Sequence, residues 1–362
     1  MRFFPLGLAL ATHKEFRVII CSECFNDEGL KISASSIGLD DADPCDNCGS
    51  SSGKKLDKDL VTHLSNRFFV WGTLKKCKYG AAPVIQFNQN QKTDMTISEW
   101  LKDDLKLIED TIGVGFFHYG PRLWMVGEVE PLKDLQNNEC RAGTIQRILK
   151  EYPELDFGTD EKFYRIRNQP AYPKEPNEYD SPPPEYAGNG RLDSSELSIL
   201  YGSQDLQLCI HECRVTAEDE LYVATLKPKR ALRLLNLSEV LNEDTTEFES
   251  LDMAVHMLFL AGEYSYKISR EIAVAARNTG YDGMIFPSYF SLLRTGAMPF
   301  ETTYGLSHRR IPSMQEHENS KISPNLALFG QPIAEGLIEV VCINKLVLHR
   351  VEYNAHFGPV EY

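Results

Sequence analysis

Ile268, Ile272, Ala275 and Ala276 stand at i, i+4, i+7 and i+8, which draws one apolar stripe along a helix that Gly280 is placed to cap. The rhythm then changes. Tyr281-Asp282-Gly283 is a turn signal, and Met284-Ile285-Phe286 is a short buried strand closed by Pro287. The same change of period occurs upstream, where Ser198-Ile199-Leu200-Tyr201 reads as a strand and Leu206, Cys209, Ile210 and Cys213 keep helical spacing. Further on, Leu337 to Ile343 reads as a core strand. The N-terminal half is helix-rich instead. Leu60, Val61, Leu64 and Phe68 place a helix within 56–71, Leu101, Leu105 and Ile108 a second within 98–111, and a third runs over 142–151. Between the halves, Gln169 to Pro184 is rich in proline, which excludes helix and predicts an extended surface run, either framing a cleft or forming a plain loop.

Composition bounds the picture. A chain of 362 residues, 42% hydrophobic and 25% charged, is long enough for two domains and ordinary for a globular protein. Its formal net charge of −14 argues against broad nucleic-acid binding, which depends on a positive field, but leaves room for a nucleotide in a local basic pocket. No apolar run reaches membrane-spanning length. Met1-Arg2 and the apolar residues up to Ala11 have the outline of a signal peptide, yet Pro5 and Gly7 break the run. An extension or a first strand is expected there, with a reducing, cytoplasmic setting for the cysteine pairs that follow.

Those pairs are Cys21-x2-Cys24 and Cys45-x2-Cys48, separated by a gap of twenty residues. Two such knuckles supply four thiolates at the spacing of a tetrahedral zinc site, and Gly49 eases the second turn. Disulfides or free thiols are the alternatives. No histidine or open position accompanies them, so a zinc ion here would be structural. The i, i+4 pair Cys209 and Cys213 reads as core packing.

A second set of residues points to chemistry. Gly188-Asn189-Gly190 leads into Arg191, so the backbone there can approach a ligand closely while the guanidinium fork suits phosphate oxygens. Tyr201 ends the strand before the helix that carries Glu212, and Ser288 stands at the end of the strand closed by Pro287. Taken singly, each has a plain structural reading: Arg191 as a solvated loop cation near Asp193, Tyr201 as core, Glu212 as half of a surface pair with Arg214, Ser288 as a strand cap. No Gly-x-Ser-x-Gly turn marks Ser288 as a nucleophile.

Phe163-Tyr164-Arg165-Ile166, Gly190-Arg191, Leu200-Tyr201, His211-Glu212-Cys213 and Gly280-Tyr281-Asp282-Gly283 followed by Ser288, in this order, resemble the RES-domain family. That family is named for its arginine, glutamate and serine and is best known as the toxin of Xre-RES toxin–antitoxin pairs. The resemblance spans roughly 155–350 and implies a compact fold of mixed strands and helices similar to ADP-ribosyltransferase toxins. It implies NAD as substrate, cleavage of the nicotinamide–ribose bond by hydrolysis or phosphorolysis, or in some relatives transfer to a protein, and an antitoxin or immunity partner. On it, Arg191, Tyr201, Glu212 and Ser288 match the catalytic positions, and Arg165 with Arg191 and Tyr201 would bind NAD. Glu212 would stabilise an oxocarbenium-like state or hold a ribose hydroxyl, and Tyr201 would stack on the nicotinamide ring or shape its pocket. Where the family usually has asparagine-proline after glycine-arginine, this chain has Leu192-Asp193-Ser194-Ser195, so substrate entry is expected to differ.

The cysteine knuckles and following helices further resemble the HEPN-like N-terminal domain fused to some RES proteins. Arg67 lacks the histidine of a HEPN ribonuclease motif, so a regulatory or target-sensing role is expected. The whole chain is thus expected to be α+β. It divides into 1–55 (extension and knuckles), 56–152 (helix-rich), 155–350 (RES) and 351–362 (tail).

Overall fold

The computed structural model describes residues 20–77, 80–118, 129–183, 186, 188–295, 302–303, 306–307, 311–351 and 355–362. The expectations for residues 1–11 lie outside these. The chain forms two units, one of described residues 20–75, 82–118 and 355–362, the other chiefly of 129–351.

In the first unit Ile20–Cys21 (β1) pairs antiparallel with Lys55–Leu56 (β2), holding the two cysteine knuckles together. Glu28–Ile37 (α1) and Lys58–Ser65 (α2) each start where an aspartate side chain, Asp27 or Asp57, accepts a backbone N–H two positions inside the helix, at Leu30 and Leu60. The helix foreseen over 56–71 changes form at Asn66–Val70, a π-helical turn that rotates Phe68, Phe69 and Val70 all into the core. Lys102–Ile112 (α3) buries Leu105 and Ile108 as its spacing foretold. An antiparallel pair, Ile85–Asn88 (β3) and Gly115–His118 (β4), flanks α3 in the sequence and closes the core, with Phe116 against Phe69 at 4.6 Å between ring centres.

Residues 355–362, expected as a tail, belong to this unit. The Ala355 carbonyl accepts from the Arg67 guanidinium, and His356 sits edge-on to Trp71. Gly358 and Gly72 approach so closely that a Cβ on either would collide with the other's backbone.

The second unit has two sheets. Glu154–Phe157 (β5), Ile199–Gly202 (β7), Leu232–Asn236 (β9), Gly283–Pro287 (β10) and Pro324–Phe329 (β11) form one, in the order β5-β9-β10-β11-β7, antiparallel except for β9 beside β10. Phe163–Asn168 (β6), Leu221–Pro228 (β8) and Ile338–Leu346 (β12) form the other, in the order β12-β8-β6. The fold class is α+β, as expected.

Alternation along the strands separates the two faces of the larger sheet. Leu235, Met284, Phe286, Ala327 and Phe329 face a helical layer of Glu130–Gln136 (α4), Arg141–Glu151 (α5), Leu251–Leu260 (α7) and Tyr266–Asn278 (α8). Leu234, Ile285, Leu326 and Leu328 face the opposite side, where Phe163, Ala224 and Leu226 of the smaller sheet meet them. Leu206–Cys213 (α6) lies against Ile166, Leu221 and Val223 through Cys209. Leu132, Leu135, Ile145 and Ile148 share the core of α7 and α8, which places α4 and α5 in this unit rather than in the helix-rich domain expected up to 152.

Two further expectations are corrected. The strand at 337–343 is an edge, not core: Ile338 is buried, but Val341 is 45% exposed beside a register shift opposite Thr225 and Leu226. The Pro-rich segment is not a free extended run either. It turns through Pro176–Tyr179, buries Tyr179, and is held to β6 by Arg167, whose Nε donates to the Glu178 carbonyl at 2.7 Å.

Candidate active site

The arginine loop is built around Asp193 and Tyr201. The Tyr201 hydroxyl accepts from the N–H groups of Leu192 (2.8 Å) and Asp193 (3.2 Å) and donates to Asp193 Oδ1 (2.9 Å), while Asp193 Oδ2 accepts from the Gly188 N–H (2.5 Å). A Cβ on Gly190 would strike Asp193 and the tyrosine hydroxyl, so glycine there serves the loop's own packing. Burial, then the neighbouring Asp193 carboxylate, pushes the Tyr201 phenol far up, and its hydroxyl is wholly engaged within the loop. The ring packs against the helical core.

Helix α8 holds the same loop from the other side. The apolar stripe buries Ile268, Ile272 and Ala276, and this aims the adjacent Ser269 and Arg270 at the loop carbonyls. Ser269 Oγ donates to the Arg191 carbonyl at 2.7 Å, and Arg270 Nη2 donates to those of Gly188 (2.7 Å) and Gly190 (2.6 Å). The sequence reading passed over both residues. Their signal was adjacency to the stripe.

Thus braced, the Arg191 guanidinium lies 5.2 Å from the Tyr266 ring centre and 5.8 Å from that of Phe259, with one long contact to Ser265 Oγ. Among the described residues no carboxylate reaches it at ion-pair distance. Burial lowers its pKa, and the fields of Tyr266, Glu212 and Tyr201 work the other way. A half-buried cation with aromatic walls and no anion of its own is suited to an anionic ligand.

Glu212 stands exposed at the C-terminal end of α6. A carboxylate is disfavoured at that end of the helix dipole, and two donors offset the penalty. Ser288 Oγ and Asn325 Nδ2 each donate to Glu212 Oε1 at 2.5 Å. The Ser288 hydroxyl also accepts from the Phe290 N–H at 3.0 Å, so its own proton is committed to the glutamate. It is an orienting group here. Asn325 escaped the sequence reading, although an amide heading the apolar run Leu326 to Phe329 was the available signal.

Arg165 lies behind these residues. Its Nη1 donates to the Tyr201 carbonyl (2.8 Å) and Nη2 to that of Asp180 (3.0 Å), while burial pushes its pKa down. The structure therefore joins Glu212 to Ser288 directly and sets Arg191 within the field of Glu212, while Tyr201 and Arg165 hold neighbouring backbone.

In the other unit the sulfurs of Cys21, Cys24, Cys45 and Cys48 all lie within 4.8 Å of one another, with near contacts of 3.5 to 3.9 Å. Disulfides are ruled out by those distances, and tetrahedral zinc–thiolate geometry requires sulfurs about 3.8 Å apart. Asn47 Nδ2 donates to Cys24 Sγ at 3.3 Å, and the buried Lys55 ammonium donates to the carbonyls of Ser50 (2.8 Å) and Ser52 (3.4 Å). Burial opposes the Cys45 thiolate, but the N–H groups of Cys48 and Asn47 and the neighbouring sulfurs outweigh it and bring its pKa down to about 7. The four thiols could hold a metal ion.

No helix among the described residues is long and apolar enough to cross a membrane. Residues 162–334 match the family model of the RES domain. Among solved structures, the chain matches one from the M. tuberculosis MbcT–MbcA toxin–antitoxin complex, at 13% identity and a TM-score of 0.31 over 56% of this chain and 91% of that one. No curated protein matches it.

Proposed function

We propose, from the premise that residues 162–334 form a RES domain, that this protein consumes NAD by breaking its nicotinamide–ribose bond. The observation that carries the reading is a pair of opposite character at one site: Arg191, a cation without an anion among the described residues, and Glu212, a carboxylate with one oxygen tied and the other open. Arg191 would take the pyrophosphate. As the glycosidic C–N bond breaks and its electron pair leaves with nicotinamide, positive charge grows on the ribose, and the Glu212 carboxylate would stabilise it. Ser288 orients that carboxylate. Of the two roles expected for Tyr201, stacking on nicotinamide or shaping its pocket, this reading takes the second, through the loop it holds, and Arg165 acts through the Tyr201 and Asp180 carbonyls.

Water or phosphate is the acceptor in this reading. Transfer to a protein is the second enzyme outcome, and a nucleotide-binding zinc scaffold without turnover is the non-enzymatic one. Incubation of the purified chain with NAD separates them. Nicotinamide release above background, lost in Glu212→Ala, supports the enzyme, and label from NAD retained on a macromolecule identifies transfer. Equal background release by both forms would sink the catalytic reading.

The four thiols would hold a structural zinc ion that ties the knuckles of the first unit. A reducing, NAD-bearing compartment such as the cytoplasm suits both sites, and an antitoxin or immunity protein is the partner class that RES membership brings. The HEPN-like reading of the N-terminal part stands as a proposal for a regulatory or sensing role.

A further inference from the structure

We infer that Asn325 is a positioning residue for Glu212: it locks the carboxylate through Oε1, so that Oε2 is the oxygen presented to the reacting group. The inference rests on the reading of Glu212 as the carboxylate of the reaction. Glu212 is exposed at a helix end, where a long side chain ordinarily samples many rotamers and holding one costs entropy. Two converging donors remove that freedom. They come from adjacent strands of one sheet, Ser288 just past the end of β10 and Asn325 on β11 directly opposite Phe286, so backbone pairing sets their separation.

The two donors differ in kind. The serine hydroxyl has a single proton and can rotate, and the Phe290 N–H restricts it from behind. The amide of Asn325, 8% exposed, is planar, carries no charge and donates at every pH. It can therefore hold a carboxylate without neutralising it, as a lysine or arginine would. Both bonds end on Oε1. Among the described residues Oε2 takes no hydrogen bond. A buried amide that merely needed a partner would impose no such demand on turnover.

Asn325→Asp, close to isosteric, and Asn325→Ala test this in the full-length protein. Glutamate labelled with carbon-13 at the carboxyl gives the Glu212 resonance directly, assigned by the signal missing from Glu212→Gln. Loss of the amide donor should shift that resonance at fixed pH in both variants. Asn325→Ala should lower kcat for nicotinamide release about 100-fold with KM for NAD little changed. An unmoved Glu212 resonance in both variants, or wild-type kcat in Asn325→Ala, would overturn the inference. Absence of turnover in the wild type overturns the enzyme reading instead, and the resonance then still decides whether Asn325 governs Glu212.

Discussion

At the scale of single residues, the proposed reaction assigns its charge stabilisation to the carboxylate of Glu212. Glu212→Gln keeps the shape and leaves an oxygen able to accept from Ser288 and Asn325, but removes the charge. Nicotinamide release should fall about 100- to 1,000-fold while the urea midpoint stays within error, as expected for loss of electrostatic stabilisation in the transition state. The order of Arg191, Glu212 and Ser288 was legible in the sequence because each sits at the end of an element whose pattern is plain: a glycine-led loop, a helix with apolar spacing, a strand closed by proline. Their supports were not. Asn325, Ser269 and Arg270 act through carbonyls and carboxylates 78 to 113 positions away, a distance that no local pattern records. Tyr201 and Arg165 were found, yet their partners, the Asp193 carboxylate and the backbone groups of Leu192, Asp193, Tyr201 and Asp180, are revealed only by the fold.

Among the elements, α6 matters most, since it delivers Glu212. Asp205 begins it, its Oδ1 accepting from the N–H groups of Gln207 and Leu208 and its Oδ2 from Arg294 Nε at 2.7 Å. Burial would raise this carboxyl, but Arg294 and the helix N–H groups prevail and hold it below its ordinary value of 3.8. A depressed folded value means that the ionised form stabilises the fold fully above 3.8, and that the contribution is lost as pH falls through the lower folded value. Asp205→Ala should accordingly cost about 1 kcal/mol at pH 7 by urea unfolding, with the difference from wild type shrinking toward pH 3. A constant difference across that range would refute the assignment. The existence of helices and strands was readable wherever one period held. It failed at Asn66–Val70, where a π-turn buries three consecutive residues, and at β12, whose apolar run proved to be an edge. Three buried neighbours in a row and an apolar edge both break the link between period and face.

On the scale of the whole molecule, each unit has its own core, and the four cysteines belong to the first. Metal analysis should find one zinc per chain. Cys45→Ser should abolish it and open the first unit to protease while the segment 129–351 stays resistant. Persistence of stoichiometric zinc in that variant would argue against the four-sulfur site. Gly358→Val should loosen the same unit from the far end of the sequence, since its Cβ meets Gly72, and faster amide exchange in α2 would report it. These two substitutions lie more than three hundred residues apart and converge on one body, because residues 355–362 complete what 20–118 begin. Synthesis is vectorial, and a ribosome delivers residues 355–362 only after the second unit has been made. The second unit is therefore synthesised whole inside an interruption of the first, and it can mature while residues 20–118 still wait for the strip 355–362 that joins them.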